Sequence, residues 1–188
     1  IMTPQIRFGE DLISRVSFIQ QNPGSQTDLI DTVRQAVDEL ARETATDVGI
    51  DVSSIIDMTV VGNPIMHHIF LGLDPQQLGQ APFPLIVNEA VIISVSELGL
   101  EAVNKGAQAY LLPCIAGHVG ADTAGVVLAE APHQSSEMTL LIDVGTNAEI
   151  VLGNKDRILA CSSPTGPAFE GAQISCGERA GLGAIERV

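Results

Sequence analysis

Leu140-Leu141-Ile142-Asp143-Val144-Gly145-Thr146-Asn147-Ala148-Glu149-Ile150-Val151-Leu152 sets two apolar runs on either side of a short loop of Asp, Gly, Thr and Asn. The pattern predicts a β-hairpin whose tight turn presents backbone N–H groups. Gly145 can take positive φ or let a ligand approach the backbone closely, and Thr146 and Asn147 add hydroxyl and amide groups. Asp143 can hold a magnesium ion through water. Such a turn suits a phosphate tail, but an ordinary polar hairpin would use the same residues, so the neighbouring elements must decide.

Upstream, Tyr110-Leu111-Leu112-Pro113 reads as a buried strand, followed by a Gly-rich turn. The segment 122–130, Asp-Thr-Ala-Gly-Val-Val-Leu-Ala-Glu, then reads as a helix whose small residues permit close packing. Strand, small-residue helix and Asp-x-Gly-Thr hairpin in that order resemble the second half of the nucleotide-binding core shared by actin, sugar kinases, acetate kinases and heat-shock chaperones. The resemblance implies an α/β fold, a ribonuclease H-like actin-type ATPase core with a mixed sheet flanked by helices. It also implies that Asp143, Gly145, Thr146 and Asn147 form the second phosphate loop, with ATP and Mg²⁺ as cofactors and Asp143 on the metal.

The 188 residues can bury a sizeable core in one large domain or two small ones. No apolar stretch reaches the roughly 18 uninterrupted residues of a membrane span, and no signal peptide is evident, so a cytoplasmic protein is expected. With 9 basic and 23 acidic residues the net charge is −14, which argues against nucleic acid as a partner. No Lys or Arg occurs between Arg42 and Lys105, or between Lys105 and Lys155, so the hairpin turn has no local lysine of the Walker type. A nucleotide there would depend on backbone N–H groups, hydroxyls and a metal. Cys114, Cys161 and Cys176 are scattered, without the spacing of a zinc or iron–sulfur site, and are expected as buried thiols.

Helical spacing of Leu12, Ile13, Val16 and Ile19 predicts a first helix over 10–19. After the Pro23-Gly24 break a longer helix is predicted over 27–44, with Leu29, Ile30, Val33, Val37, Leu40 and Ala41 as its stripe and Thr27 as its cap. Met58-Thr59-Val60-Val61 reads as a buried strand ending in Gly62-Asn63-Pro64, where a helix begins. His67 and His68 are adjacent and point about 100° apart on a helix, so packing at a domain or subunit contact is expected of them rather than shared metal binding. The segment 74–105, rich in Pro, Gly and Gln, reads as a long excursion between strands. After the hairpin the sheet is expected to continue through 157–162, entered by a turn at 153–156. Ser163-Pro164-Thr165-Gly166-Pro167 then forms a tight loop before a helix, with Glu170 in its first turn, placed to act on a metal-bound water or phosphate or to complement the helix dipole.

A closer resemblance rests on several motifs in order: Pro4-Gln5-Ile6-Arg7-Phe8-Gly9-Glu10-Asp11-Leu12-Ile13-Ser14-Arg15-Val16, Val61-Gly62-Asn63-Pro64-Ile65-Met66, Val119-Gly120-Ala121-Asp122, Ile142-Asp143-Val144-Gly145-Thr146-Asn147-Ala148-Glu149, and Gly166-Pro167-Ala168-Phe169-Glu170-Gly171. Together they resemble the ATP-dependent reductive activators of corrinoid proteins over nearly the whole chain. The match implies a central fragment, with 1–57 a helical middle-domain segment and 58–188 an actin-like nucleotide-binding core carrying the second phosphate loop. A [2Fe-2S] domain and a first phosphate loop would then lie outside it.

On this resemblance the activator returns the cobalt(II) form of a corrinoid protein to cobalt(I), coupling ATP binding and hydrolysis to electron transfer from the iron–sulfur domain. The implied partner is a corrinoid protein or corrinoid methyltransferase, and a homodimer is the assembly expected. Asp122 and Glu170 are the candidate catalytic carboxylates and Gly166 a further nucleotide-loop residue. A small-molecule kinase of the same superfamily and a non-catalytic nucleotide- or partner-binding module are the alternatives, since one core hosts many activities.

Overall fold

The computed structural model describes residues 7–9, 12–145 and 147–165. The chain opens with helices α1 (Leu12–Gln21) and α2 (Gln26–Val48), both where the periodicity places them. Val16, Ile19 and Leu29 are buried with Ile65, Ile69 and Leu78 in one cluster, against which Ile30 and Val33 pack. Further along α2, Val33, Val37 and Ala41 pack on a second cluster. Steps of four residues advance the contact line by about 40° each, so it rotates around a 23-residue helix. Leu40 falls off that line and is 50% exposed, contrary to its place in the expected stripe. The cap also differs. Ser25 precedes the helix without a side-chain cap hydrogen bond, and Thr27 lies inside the first turn.

Strand β1 (Asp57–Val60) leads through Gly62-Asn63 into α3 (Pro64–Leu71). Asn63 caps α3, its Oδ1 accepting from Met66 N at 2.9 Å, with Pro64 in the first turn. The other end closes on Gly72 in the left-handed region, and the Arg34 guanidinium donates twice to the Phe70 carbonyl, at 3.0 and 2.8 Å. Strands β2 (Val91–Ser94) and β3 (Gln108–Leu111) complete a mixed sheet of order β1-β3-β2, with β3 parallel to β1 and antiparallel to β2. The expected excursion at 74–105 therefore contains a core strand. Val91-Ile92-Ile93 is a short β-branched run that the surrounding Pro and Gly obscure. The core of this unit runs across position 57, uniting α2 with Phe70, Val95, Leu98, Leu100, Ala109 and Leu111.

Helix α4 (Ala121–Glu130) precedes an antiparallel meander of β4 (Thr139–Val144), β5 (Asn147–Gly153) and β6 (Ile158–Pro164). The predicted hairpin and the following strand are both present, and so is the α/β class. Among the described residues the strands form two sheets, and no ladder joins β1–β3 to β4–β6. Alternation identifies strands and a tight turn identifies a hairpin, but neither specifies pairing across a long connection. Ser163 and Pro164, expected in a loop, extend β6.

Candidate functional site

The N-terminus of α4 is seated on the β1–α3 turn. The Gly62 carbonyl accepts from Ala121 N at 3.0 Å and from Asp122 N at 3.3 Å. A Cβ at Gly120 would stand 2.7 Å from both Asn63 Cα and Gly62 O and 2.5 Å from Asp122 Oδ1, so only glycine permits this approach. Asp122 is held by the adjacent turn of helix, its Oδ1 accepting from Thr123 N at 2.8 Å. Burial raises its pKa above the ordinary carboxylate value. The Asp122 and Thr123 backbone amides oppose that shift, and the charge of Asp143 adds to it. The structure thus brings Asp122 and Asp143 within electrostatic reach of each other across the two units.

Asp143 is exposed near the end of β4, directly opposite Glu149 on β5, so the two carboxylates share a sheet face. Ser162 stands opposite Glu149 on β6 and donates to its Oε1 at 3.0 Å. Asn147 is the first residue of β5 and pairs with Pro164. Glu149 and Ser162 were not singled out from the sequence. Residues equidistant from the turn, 143 and 149, were the signal that could have found Glu149.

The turn differs in detail from the expectation. Gly145 is not in the left-handed region, and its N–H donates to Asn147 O at 2.8 Å, so this amide is engaged within the turn. Its carbonyl accepts from Thr165 Oγ1 at 2.8 Å. Among the described residues a Cβ there would meet Asn147 O, at an ordinary 3.5 Å. Thr146, Gly166 and Glu170 lie outside the described residues. Among those described, no group of three or more His, Cys, Asp or Glu side chains could hold a metal.

The histidines and cysteines take other places. His67 and His68 are buried in the first unit. His68 Nδ1 bonds the Pro64 carbonyl at 2.7 Å and Nε2 accepts from Ile86 N at 3.1 Å, which fixes a neutral tautomer and ties the 80s loop to α3. Among the described residues neither His67 nitrogen reaches a partner in good geometry. Burial, and secondarily His68, lower its pKa to about 4, with a small opposing influence from the Leu112 backbone. Cys114 is buried and its thiol is pushed up to about 11 by burial, whereas Cys161 is exposed, correcting the expectation of a buried thiol. No helix among the described residues is long and apolar enough to cross a membrane.

Two family descriptions match this chain: the RACo middle region over residues 1–135, and the C-terminal domain of RACo, the ASKHA domain, over 137–188. The corrinoid activation enzyme RamQ of Eubacterium limosum is 35% identical over 188 residues, covering all of this chain and 31% of that protein. The [Co(II) methylated amine-specific corrinoid protein] reductase of Methanosarcina barkeri is 30% identical over 163 residues, covering 82% of this chain and 30% of that protein. A solved structure described as a reductive activator for corrinoid, iron-sulfur protein superposes with a TM-score of 0.84 at 36% identity, over 98% of this chain and 29% of that one. The chain thus spans under a third of the length of these relatives.

Proposed function

This chain belongs to the RACo family, matching its middle region and its C-terminal ASKHA domain, and from that premise we propose that it is part of an ATP-dependent reductive activator of a corrinoid protein. The observation that carries the reading is 35% identity to a corrinoid activation enzyme over every residue of the chain. The partner's cobalt(II) is the substrate. It takes up one electron to become cobalt(I), and a reduced [2Fe-2S] cluster held by residues outside this chain gives up that electron and is thereby oxidised. The partner is a corrinoid protein or corrinoid methyltransferase, and the reaction takes place in the cytoplasm.

The residues present fit MgATP at the β4–β5 turn. Asp143 offers carboxylate oxygen, the kind of donor that suits Mg²⁺, and residues 106–154 contain no Lys or Arg to neutralise it. When bound, Mg²⁺ would offset phosphate charge and draw electrons from the transferring phosphoryl group. Asp143 would hold the cation, Asn147 would bind phosphate oxygen through its amide, and Asp122 would orient water at the cation from the α4 terminus. The raised pKa of Asp122 suits a group that exchanges protons in such a place. Thr146, Gly166 and Glu170 complete the proposed set as nucleotide-loop residues and a second catalytic carboxylate.

Closure of two units on a nucleotide could then change how a docked partner is held. Anaerobic ultraviolet–visible spectroscopy tests the reading. Full-length protein, reductant and MgATP mixed with a cobalt(II) corrinoid protein should produce the cobalt(I) band, and the band should fail to form without ATP. No band with any candidate corrinoid protein overturns it.

A further inference from the structure

Every amide in the first turn of α4 is engaged within the protein. Ala121 N and Asp122 N donate to the Gly62 carbonyl at 3.0 and 3.3 Å, and Ala124 N donates to Gly120 O at 3.2 Å. Thr123 N donates to Asp122 Oδ1 at 2.8 Å. A helix start ordinarily satisfies these amides with a capping side chain, water or an anion. Gly120 has no side chain to offer, and a carbonyl from another segment stands where a cap or an anion would. The place of the Gly62 carbonyl therefore decides where α4 begins, and with it where Asp122 stands.

That carbonyl is fixed from α3. It shares a planar peptide with Asn63 N, so its direction follows the backbone at Asn63. Pro64 confines Asn63 to extended backbone, where it sits at φ −62° and ψ 162°. Asn63 then grips α3 twice: its Oδ1 accepts from Met66 N at 2.9 Å, and its carbonyl accepts from His67 N at 2.9 Å. We propose that Asn63 is a positioning residue for Asp122, an inference that rests on the catalytic reading of Asp122 given above.

The line of action runs from the Asn63 amide through the Gly62 carbonyl to the first two amides of α4. Because Asp122 Oδ1 is held by Thr123 N of the same turn, the carboxylate travels with that turn as one body. Without the Asn63 side chain, the peptide at 62–63 loses one of its two ties to α3 and the acceptor for α4 is no longer fixed. A group that orients water toward a reacting phosphate is sensitive to displacements on the order of 1 Å. The loss falls on turnover, because nucleotide is held elsewhere, at the β4–β5 turn.

Steady-state phosphate release by the full-length protein with MgATP tests this, comparing wild type, Asn63→Ala, Asn63→Gly, Asn63→Ser, Asp122→Asn and the double variant Asn63→Ala/Asp122→Asn. Asn63→Ala should lower kcat about 10- to 100-fold, with KM for MgATP within about 3-fold of wild type. Asn63→Gly, a substitution that costs a helix start little, lacks the same oxygen and should lose kcat likewise, which separates positioning from stability. Asn63→Ser restores a capping oxygen and should stay within about 3-fold of wild type. In the Asp122→Asn background, Asn63→Ala should change kcat by less than about 2-fold, since the carboxylate it places is already gone. The inference is overturned if Asn63→Gly turns over as wild type does, if Asn63→Ser is as impaired as the alanine variant, or if Asn63→Ala exerts its full effect in the Asp122→Asn background. Asp122→Asn that hydrolyses ATP at the wild-type rate overturns the catalytic reading of Asp122 and this inference together, whereas an impaired Asp122→Asn beside an unaffected Asn63→Ala overturns the inference alone.

Discussion

The two three-stranded sheets obey the same alternation and end in opposite circumstances. In β1-β3-β2 one face, carrying Met58, Val60, Val91, Ile93, Ala109 and Leu111, packs under α2 around Val95 and Leu98, both fully buried. In β4-β5-β6 the register places Leu140, Ile142, Val144, Leu152 and Leu159 on one face, and they remain 56%, 55%, 74%, 44% and 53% exposed. Burying such a side chain is worth about 1.5–3 kcal/mol, and this face forgoes much of it. An apolar stripe therefore records what a strand is built to meet, not what it meets within these residues.

The largest expected effect tests that contrast directly. Leu98→Ala should cost about 2–5 kcal/mol in chemical denaturation of this 188-residue chain, and Ile142→Ala only about 0.5 kcal/mol. Comparable losses would show that the second sheet's outer face is covered in solution.

Next comes pH. His67 and His68 have folded pKa values below the unfolded value near 6.5, so they favour folding in their neutral forms. Their contribution is complete above about 6.5 and is lost as pH falls toward the His67 value of about 4. A probe on α3 should detect a loss on the order of 2–3 kcal/mol over that window, and His67→Gln should reduce it. An unchanged pH profile in His67→Gln would remove His67 as its source.

A third test concerns the tie between α2 and the turn after β2, where Asp38 accepts from Glu101 N at 2.8 Å and Ala102 N at 3.1 Å. Asp38→Ala should cost about 1.5–3 kcal/mol, because two amides lose a charged acceptor. Amide exchange at 101 and 102 would report it, and unchanged protection there would refute the role.

The smallest effect belongs to the second unit. Asp143→Asn relieves repulsion with Glu149 and Asp122, so thermal stability should stay level or rise by about 0.2–1 kcal/mol. Magnesium-dependent nucleotide binding by the full-length protein should nevertheless fall. A stability loss of several kcal/mol would make Asp143 structural instead.

Much of the local structure was legible because periodicity and punctuation agree. Gly62-Asn63-Pro64 marks the start of α3, Gly153-Asn154 marks the β5–β6 turn, and Asp-x-Gly-Thr-Asn marks the hairpin. What escaped depends on contacts between distant segments. The rotating contact line of α2, the pairing of β2 with β3 and the division into two sheets are tertiary choices that local pattern leaves open. In the site, the residue types at 122 and 143 suggested chemistry, but their approach depends on a backbone contact at Gly62 that no spacing reveals. Engagement of the Gly145 N–H by Asn147 was equally invisible. Thr146, Gly166 and Glu170 fall outside the described residues.

The glycine at 120 carries a consequence of its own. Because α4 is bonded to the Gly62 carbonyl with no room for a side chain between them, Asp122 belongs mechanically to the first unit while its electrostatic neighbour Asp143 belongs to the second. A side chain at 120 would push α4 off that carbonyl and carry the Asp122 carboxylate away with it, so the smallest residue of the turn sets where an acid of the neighbouring helix stands.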